Sequence, residues 1–205
     1  MTDLLTKMLP KYVTLLDQLK PTIQQWKRPT IRAVNYLFKI VNHGSVNPNV
    51  IAGYIPLIDH VLTLIDTPMF YNNLQDTISN PETHLIHTAV GLLANYINEP
   101  TVLAHIKQKR VTPLLLRFTS AKYEPLVYNV YIVLAHTTSE EDIKSMQNPG
   151  IILSTVVNRL KQEIEKKSDN QDQIIQLLEV LKGIPFGICF SEDPFSFSLF
   201  RFGST

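Results

Sequence analysis

The chain of 205 residues has few of the residues on which several classes of protein depend. Its single cysteine, Cys189, excludes an intramolecular disulfide framework and an all-cysteine metal site, and it favours a reducing compartment. Charged residues make up only 18% of the chain and the formal net charge is +1, so no summed field favours binding to nucleic acid or to an anionic membrane. The seven glycines form neither a phosphate-binding loop nor a dinucleotide fingerprint.

Long apolar runs are missing as well. The first residues mix Asp3, Lys7, Pro10 and Lys11 into their apolar positions, so they lack the apolar core of a signal peptide. No segment approaches the roughly 18 consecutive apolar residues that mark a membrane span. We therefore expect a cytoplasmic protein that binds neither a membrane nor nucleic acid.

Helical periodicity is what the sequence does contain. Hydrophobic residues make up 44% of the chain, which is enough for a core, and they recur at i, i+3, i+4 and i+7 up to about residue 183. Pro29, Pro56 and Pro113 lie where a proline in the first helical turn is tolerated. Nothing before residue 184 resembles a strand ladder with hairpin turns. The spacing therefore predicts an all-α fold.

One apolar template occurs in four predicted helices, which indicates an internal repeat. Its i+4 position is a leucine each time, and the spacings between these leucines are 56, 41 and 44 residues. The last two match a helical repeat of about 40 to 47 residues, and the first fits one repeat with an insertion at residues 66–83. The template positions are Ala33, Tyr36, Leu37 and Ile40; Ala89, Leu92, Leu93 and Tyr96; Val130, Val133, Leu134 and Thr137; and Ile174, Leu177, Leu178 and Leu181.

A second element follows each of the first three template leucines: GYIPLIDHVLTL from Gly53, RVTPLLLRF from Arg110 and GIILSTVVNRL from Gly150. Together with AVGLLANYINEP from Ala89, these segments resemble the armadillo repeat family, in which a helix with a Gly-x-x-Pro-Leu-like opening precedes one of Ala-x-x-Ala-Leu-x-Asn-Leu type. The sequence departs from that pattern at Arg110, where glycine is expected, and at Leu153, where proline is expected. The resemblance covers residues 28–183 and implies a right-handed superhelical solenoid of armadillo/HEAT-like repeats.

The two ends of the chain differ from this pattern. Residues 1–27 are predicted to form N-terminal capping helices, with Trp26 packed in the cap. Residues 184–205 contain six of the nine phenylalanines and are expected to form an irregular tail, either a truncated repeat or a disordered segment. An irregular helical bundle, in which the shared spacing reflects only amphipathicity, is the alternative to the repeat.

No constellation of catalytic residues stands out. His84 and His87 are three residues apart on a predicted helix, but no nearby carboxylate or thiol completes a set of metal ligands. Cys189 lies among apolar neighbours. We therefore expect a protein that is not an enzyme and that has no catalytic residue, metal site or cofactor. An unrecognised helical hydrolase or transferase is the alternative from another class.

The resemblance also implies where a partner would bind, because the third helix of each armadillo repeat lines a concave groove. The positions two before and two after each template leucine lie on one helix face. In nuclear import receptors of this family, these positions carry tryptophans and asparagines that hold extended basic peptides, and only Asn95 matches them here. The candidate groove residues, some of them one turn earlier, are Asn35, Lys39, His87, Asn95, Tyr128, His136 and Gln176.

These observations predict a non-enzymatic protein–protein interaction module, a scaffold or adaptor that binds a peptide segment or helix of a partner protein in the groove. Two alternatives stay open: a structural adaptor that self-associates, and a fragment of a larger repeat-containing signalling protein. The sequence does not fix the oligomeric state.

Overall fold

The computed structural model describes residues 28–43, 55–144, 150–165 and 171–183, together with isolated positions between residues 7 and 18. Within these ranges the chain forms helices and turns and no strand, which confirms the all-α fold. The predictions for Trp26, Cys189 and the phenylalanine-rich tail lie outside the described residues, as does most of the predicted cap. No described helix is both long enough and apolar enough to cross a bilayer.

The chain divides into two compact units, residues 1–138 and 139–205. The helices of the first unit are α1 (Arg28–His43), α2 (Ile55–Ile65), α3 (Pro68–Tyr71), α4 (Pro81–Tyr96), α5 (Pro100–Gln108), α6 (Thr112–Leu116) and α7 (Glu124–Thr137). Those of the second unit are α8 (Glu140–Lys144), α9 (Gly150–Glu165) and α10 (Gln171–Gly183).

Prolines mark the start of most helices in the first unit. Pro29, Pro56 and Pro113 each occupy the second position of a helix, as the sequence predicts. Pro68, Pro81 and Pro100 occupy the first position of α3, α4 and α5. A proline is tolerated there because the first N–H groups of a helix have no partner within it.

The loop before α4 is tied to that helix by a threonine. The oxygen Asn80 Oδ1 accepts hydrogen bonds from the Thr83 N–H at 2.7 Å and from the Thr83 hydroxyl at 2.9 Å. The Gln75 N–H donates to Thr83 Oγ1 at 2.8 Å, and the threonine is fully buried. These bonds fix residues 72–80 against the first turn of α4. The loop and α3 occupy the segment that the sequence analysis treats as an insertion.

Helix α4 is the centre of the first unit, because it packs against α1, α2, α3 and α7. Its template residues Ala89, Leu92 and Leu93 are fully buried, and Tyr96 is half-buried. The four template residues of α7 are all buried, as predicted. Each fully buried leucine of this kind stabilises the fold by about 2 kcal/mol relative to an exposed one.

The template predicted for α1 is wrong at Ala33 and Tyr36, and the side chains of Leu37 and Ile40 lie outside the described residues. Ala33 is exposed and Tyr36 keeps 67% of its surface, whereas Ile31, Val34 and Phe38 are buried. Both sets of residues follow helical spacing, so periodicity alone cannot choose between them. The observed choice exposes a tyrosine hydroxyl to water and buries the ring of a phenylalanine, which has no polar group.

In the second unit, α9 packs against α10, and α8 begins with a side-chain cap. The Asp142 N–H donates to Ser139 Oγ at 3.1 Å, while the Ser139 N–H donates to the Asp142 carboxylate, also at 3.1 Å. Ser139 and Asp142 therefore form a reciprocal cap at the start of this helix. Leu177 is buried, but the template residue Leu178 keeps 49% of its surface, so the template is only partly correct for α10.

Candidate functional site

The predicted groove residue Asn35 lies in the buried face of α1. It is 5% exposed, and its Oδ1 atom has no hydrogen-bond partner among the described residues. It lies inside the packing of α1 rather than on an open surface, because the buried face of this helix is turned relative to the predicted template. A buried acceptor without a partner costs free energy, about 1–3 kcal/mol in general.

Two other predicted residues, Lys39 and His87, lie close enough to interact, and His84 joins them. Burial, and then the positive charge of Lys39, lowers the pKa of His84. For His87, burial is again the largest cause of the lowered pKa, followed by the charges of His84 and Lys39. The ring of Tyr123, the residue before α7, meets the His87 ring edge-on with centroids 5.2 Å apart. We call these four side chains the His87 surface.

The His87 surface has a defined chemistry near neutral pH. Because both histidine pKa values are lowered, the imidazoles are neutral there, and a neutral imidazole has one donor and one acceptor nitrogen. The buried His84 Nε2 atom has no hydrogen-bond partner among the described residues. Lys39 adds a positive charge, and all four side chains stay partly exposed. The surface is therefore suited to carbonyl or carboxylate groups of an incoming chain.

The remaining predicted residues lie further along the chain. Asn95 is exposed near the end of α4, and Tyr128 and His136 are half-buried on α7. His136 Nδ1 lies 2.9 Å from the backbone oxygen of Ile132, a hydrogen bond that orients the ring. Gln176 belongs to the second unit, and its buried Oε1 atom has no hydrogen-bond partner in the described part of the chain.

A cleft that the sequence analysis did not predict lies between α2 and α6. It has a volume of about 740 Å³, and we call it the Arg110 cleft. Its lining combines apolar and charged side chains from α2 and α6, from the first residue of α3, and from the residues that directly follow α2, α5 and α6. These residues are Asp59, Leu62, Thr63, Asp66, Thr67, Pro68, Lys109, Arg110, Val111, Pro113, Leu114 and Arg117.

Asp59, which lines the Arg110 cleft, contacts a histidine and a lysine. Its Oδ1 atom lies 2.8 Å from His105 Nε2 and 3.1 Å from Lys109 Nζ. Burial opposes ionisation of this carboxyl, but the hydrogen bonds and positive charges of His105 and Lys109 outweigh it and hold its pKa below the ordinary value. Asp59 is therefore ionised near neutral pH, and its Oδ1 atom is shared by two partners.

Arg117 also lines the cleft. Its Nη1 atom donates to Asp66 Oδ1 at 2.9 Å, and its guanidinium carbon lies 5.2 Å from the centroid of the Tyr71 ring. A smaller cavity of about 390 Å³ begins at this arginine and is also lined by Tyr71 and Lys122. Arg117 lines both cavities, so the two cavities lie next to each other on either side of this side chain.

Arg110 has an unusual backbone conformation. Its φ angle is +50°, in the left-handed region that favours glycine, and no other described non-glycine residue has a positive φ. The side chain is exposed and forms no hydrogen bond or ion pair with the described residues. This is the position at which the armadillo pattern has glycine, and that departure is the one sequence signal that could have pointed to the cleft.

Among the described residues, no three histidine, cysteine, aspartate or glutamate side chains are grouped so that they could hold a metal ion. Comparison with protein-family models, with curated proteins and with solved structures gives no match. The resemblance to armadillo repeats therefore stays a prediction from the sequence pattern.

Proposed function

We propose that the chain is a non-enzymatic, cytoplasmic protein-interaction module that binds a segment of a partner protein along α4 and α7, starting at the His87 surface. The observation that carries this proposal is the meeting of Lys39, His87 and Tyr123, which belong to three separate elements yet form one partly exposed surface. One charge, two neutral imidazoles and an aromatic edge match the mixture of polar and apolar groups in a peptide.

The rest of the proposed binding path uses predicted residues beyond this surface. Asn95 carries an amide that can both donate to and accept from a peptide backbone. Tyr128 and His136 offer partly exposed rings on α7. A segment that follows these side chains would contact two neighbouring helices, which pack against each other through their buried template residues.

The proposed architecture is a solenoid of armadillo-like repeats. In support, α4 contacts α1 on one side and α7 on another, as successive third helices of stacked repeats do. The left-handed backbone of Arg110 also supports it, because the family has glycine at that point. An array of this kind exposes a long surface on which partner segments bind.

A quantitative pull-down from cell extract tests the proposed function. The bait variant combines Lys39→Glu with His87→Ala, and the matched control is Lys107→Glu, an exposed position on α5 outside the His87 surface. Circular dichroism first establishes that both variants are folded. We expect partners that the unaltered chain and the control recover equally and the double variant loses.

The recovered partner is then purified and titrated against the three proteins. We expect the double variant to bind it at least about tenfold more weakly than the control, a difference of about 1.4 kcal/mol. Equal recovery and equal affinity across the three proteins would refute the His87 surface as the binding site.

A self-associating adaptor is the second candidate function, and exposed apolar side chains favour it. In the second unit, Ile164, Ile175 and Leu178 keep 59%, 52% and 49% of their surface. Light scattering separates the candidates: self-association predicts a mass above the monomer that Ile175→Glu reduces, while Gln171→Glu, which adds the same charge to an exposed position of α10, leaves it unchanged. A monomeric unaltered chain would exclude this candidate.

A further inference from the structure

We propose that the Arg110 cleft is a second binding site, which takes an extended acidic segment of a partner protein. The site shares no residue with the His87 surface, and its evidence is separate. Three observations carry the proposal: the charges in the cleft, the backbone of Arg110 and the shape of the two cavities that meet at Arg117.

The charges leave one cation without a carboxylate. Asp59 is engaged by Lys109 and His105, and Asp66 is engaged by Arg117. Arg110 lines the same cleft, and no described carboxylate pairs with it. An incoming carboxylate therefore meets a guanidinium that need not give up another partner, and arginine binds carboxylates through two parallel hydrogen bonds.

The backbone indicates that the Arg110 side chain has a purpose outside the described fold. A left-handed conformation is unfavourable for a residue with a Cβ atom, and glycine avoids this cost. The arginine does not compensate by packing or pairing, because it is exposed and its side chain has no partner among the described residues. Uncompensated strain of this kind is concentrated at ligand-binding positions.

The shape of the site favours an extended chain over a small ion. The cleft of about 740 Å³ shares Arg117 with the cavity of about 390 Å³, whose lining also includes Asp76 and Lys122. Leu62, Val111 and Leu114 add apolar side chains to the lining. Successive residues of an extended segment, about 3.3 Å apart, would present acidic side chains to the cations and apolar side chains to the leucines.

A displayed library of random peptides of about twelve residues, selected on the full chain, identifies a probe for the cleft. We expect the peptides that depend on the cleft to be enriched in aspartate and glutamate. One selected sequence, made as a fluorescein-labelled peptide, is then titrated against variants by fluorescence anisotropy. Selection of peptides without acidic enrichment would overturn the proposal.

Variants of Arg110 distinguish a binding role of its side chain from an effect on the fold. Arg110→Gly keeps the left-handed backbone accessible and is expected to weaken binding at least about tenfold. Arg110→Lys retains the charge and should weaken it less, whereas the control Lys107→Ala should leave the affinity within about twofold. Equal binding by Arg110→Gly and the unaltered chain would overturn the proposal.

Two further measurements test which ligand binds and at which site it binds. Inorganic phosphate at millimolar concentration should not displace the labelled peptide, and displacement would reassign the cleft to small anions. The variant that combines Lys39→Glu with His87→Ala should bind the acidic peptide as the unaltered chain does. Loss of binding in that variant would place the peptide on the His87 surface and overturn the assignment to the cleft.

Discussion

Helices α4 and α7 pack against each other and contain fully buried apolar side chains, whereas the residues that directly follow α2 and α6 are joined by an ion pair that stays partly exposed. Leu93 and Val130 have no accessible surface, while Asp66 and Arg117 keep 63% and 47% of theirs. Exposed ion pairs contribute only about 0–1 kcal/mol each, so the apolar pair holds the fold together. The charged pair costs little to rearrange, which is what a binding site requires. Stability therefore rests on the apolar helix pair, and the proposed recognition uses exposed charges elsewhere in the same unit.

Truncation inside the apolar pair should give the largest effect. Leu93→Ala removes a fully buried side chain from the centre of α4, and we expect it to lower the free energy of unfolding by about 3 kcal/mol. Ile78→Ala, at a side chain that keeps 41% of its surface, should lower it by less than about 1 kcal/mol. Urea unfolding followed by circular dichroism measures both, and equal effects would remove the contrast between core and surface.

The next effect concerns the threonine that ties the loop to α4. Thr83→Val keeps the shape of the buried side chain but leaves Asn80 Oδ1 and the Gln75 N–H without its hydroxyl. We expect a loss of about 1–2 kcal/mol in the same urea experiment. Thr101→Val, at an exposed position of α5, is the control and should change stability little. A neutral Thr83→Val would show that the loop is held by packing alone.

A gain in stability is expected when the left-handed residue Arg110 is replaced by glycine. Arg110→Gly relieves the left-handed backbone and should raise the free energy of unfolding by about 1 kcal/mol. Arg110→Ala removes the same charge but keeps a Cβ atom, so it should bring no such gain. A calorimetric comparison of the two variants measures the difference between them. If alanine stabilises as much as glycine, the effect comes from charge and not from the backbone.

The smallest effect should be a pH dependence at the His87 surface. The lowered pKa values of His84 and His87 mean that the unfolded chain takes up protons first as pH falls. The contribution of the neutral histidines to the free energy of unfolding is therefore fully present above the ordinary histidine pKa of about 6.5. It is lost as the pH falls from there through the lower pKa values of the folded state. We expect the thermal midpoint to decrease between about pH 7.5 and about pH 5.5.

Replacing both histidines with glutamine should flatten that decrease, because glutamine does not titrate. Lys39→Met should flatten it less, since the charge of Lys39 is a smaller cause than burial for both imidazoles. Thermal melts at a series of pH values compare the three proteins. Parallel pH profiles would show that other groups control acid sensitivity in this range.

The template predicts buried positions correctly in α4 and α7. Helix α4 buries eleven of its sixteen residues, so several apolar spacings would have matched it. In α1, Ile31 and Phe38 lie on the buried face and Tyr36 does not, and the contact with α4 decides which face is buried. That decision depends on tertiary packing, which local periodicity does not contain.

The candidate sites were predictable to a smaller extent. Lys39 and His87 came from helix-face spacing, but Tyr123 joins them from the residue before α7 and follows no such spacing. The cleft was harder still, because its ion pairs join residues 46 to 51 positions apart along the chain. Only the arginine in place of a glycine marked it, and a departure from a pattern indicates a special position without giving its ligand.

The left-handed arginine has a consequence for laboratory evolution of this chain. A screen of random variants for heat resistance alone should enrich glycine at position 110, because the backbone gains and no fold contact is lost. If the Arg110 cleft binds an acidic segment as proposed, a screen for retention of that binding should preserve arginine at the same codon. The two screens would therefore favour different residues at position 110. The ratio of arginine to glycine among the selected variants would show whether binding or heat resistance was selected.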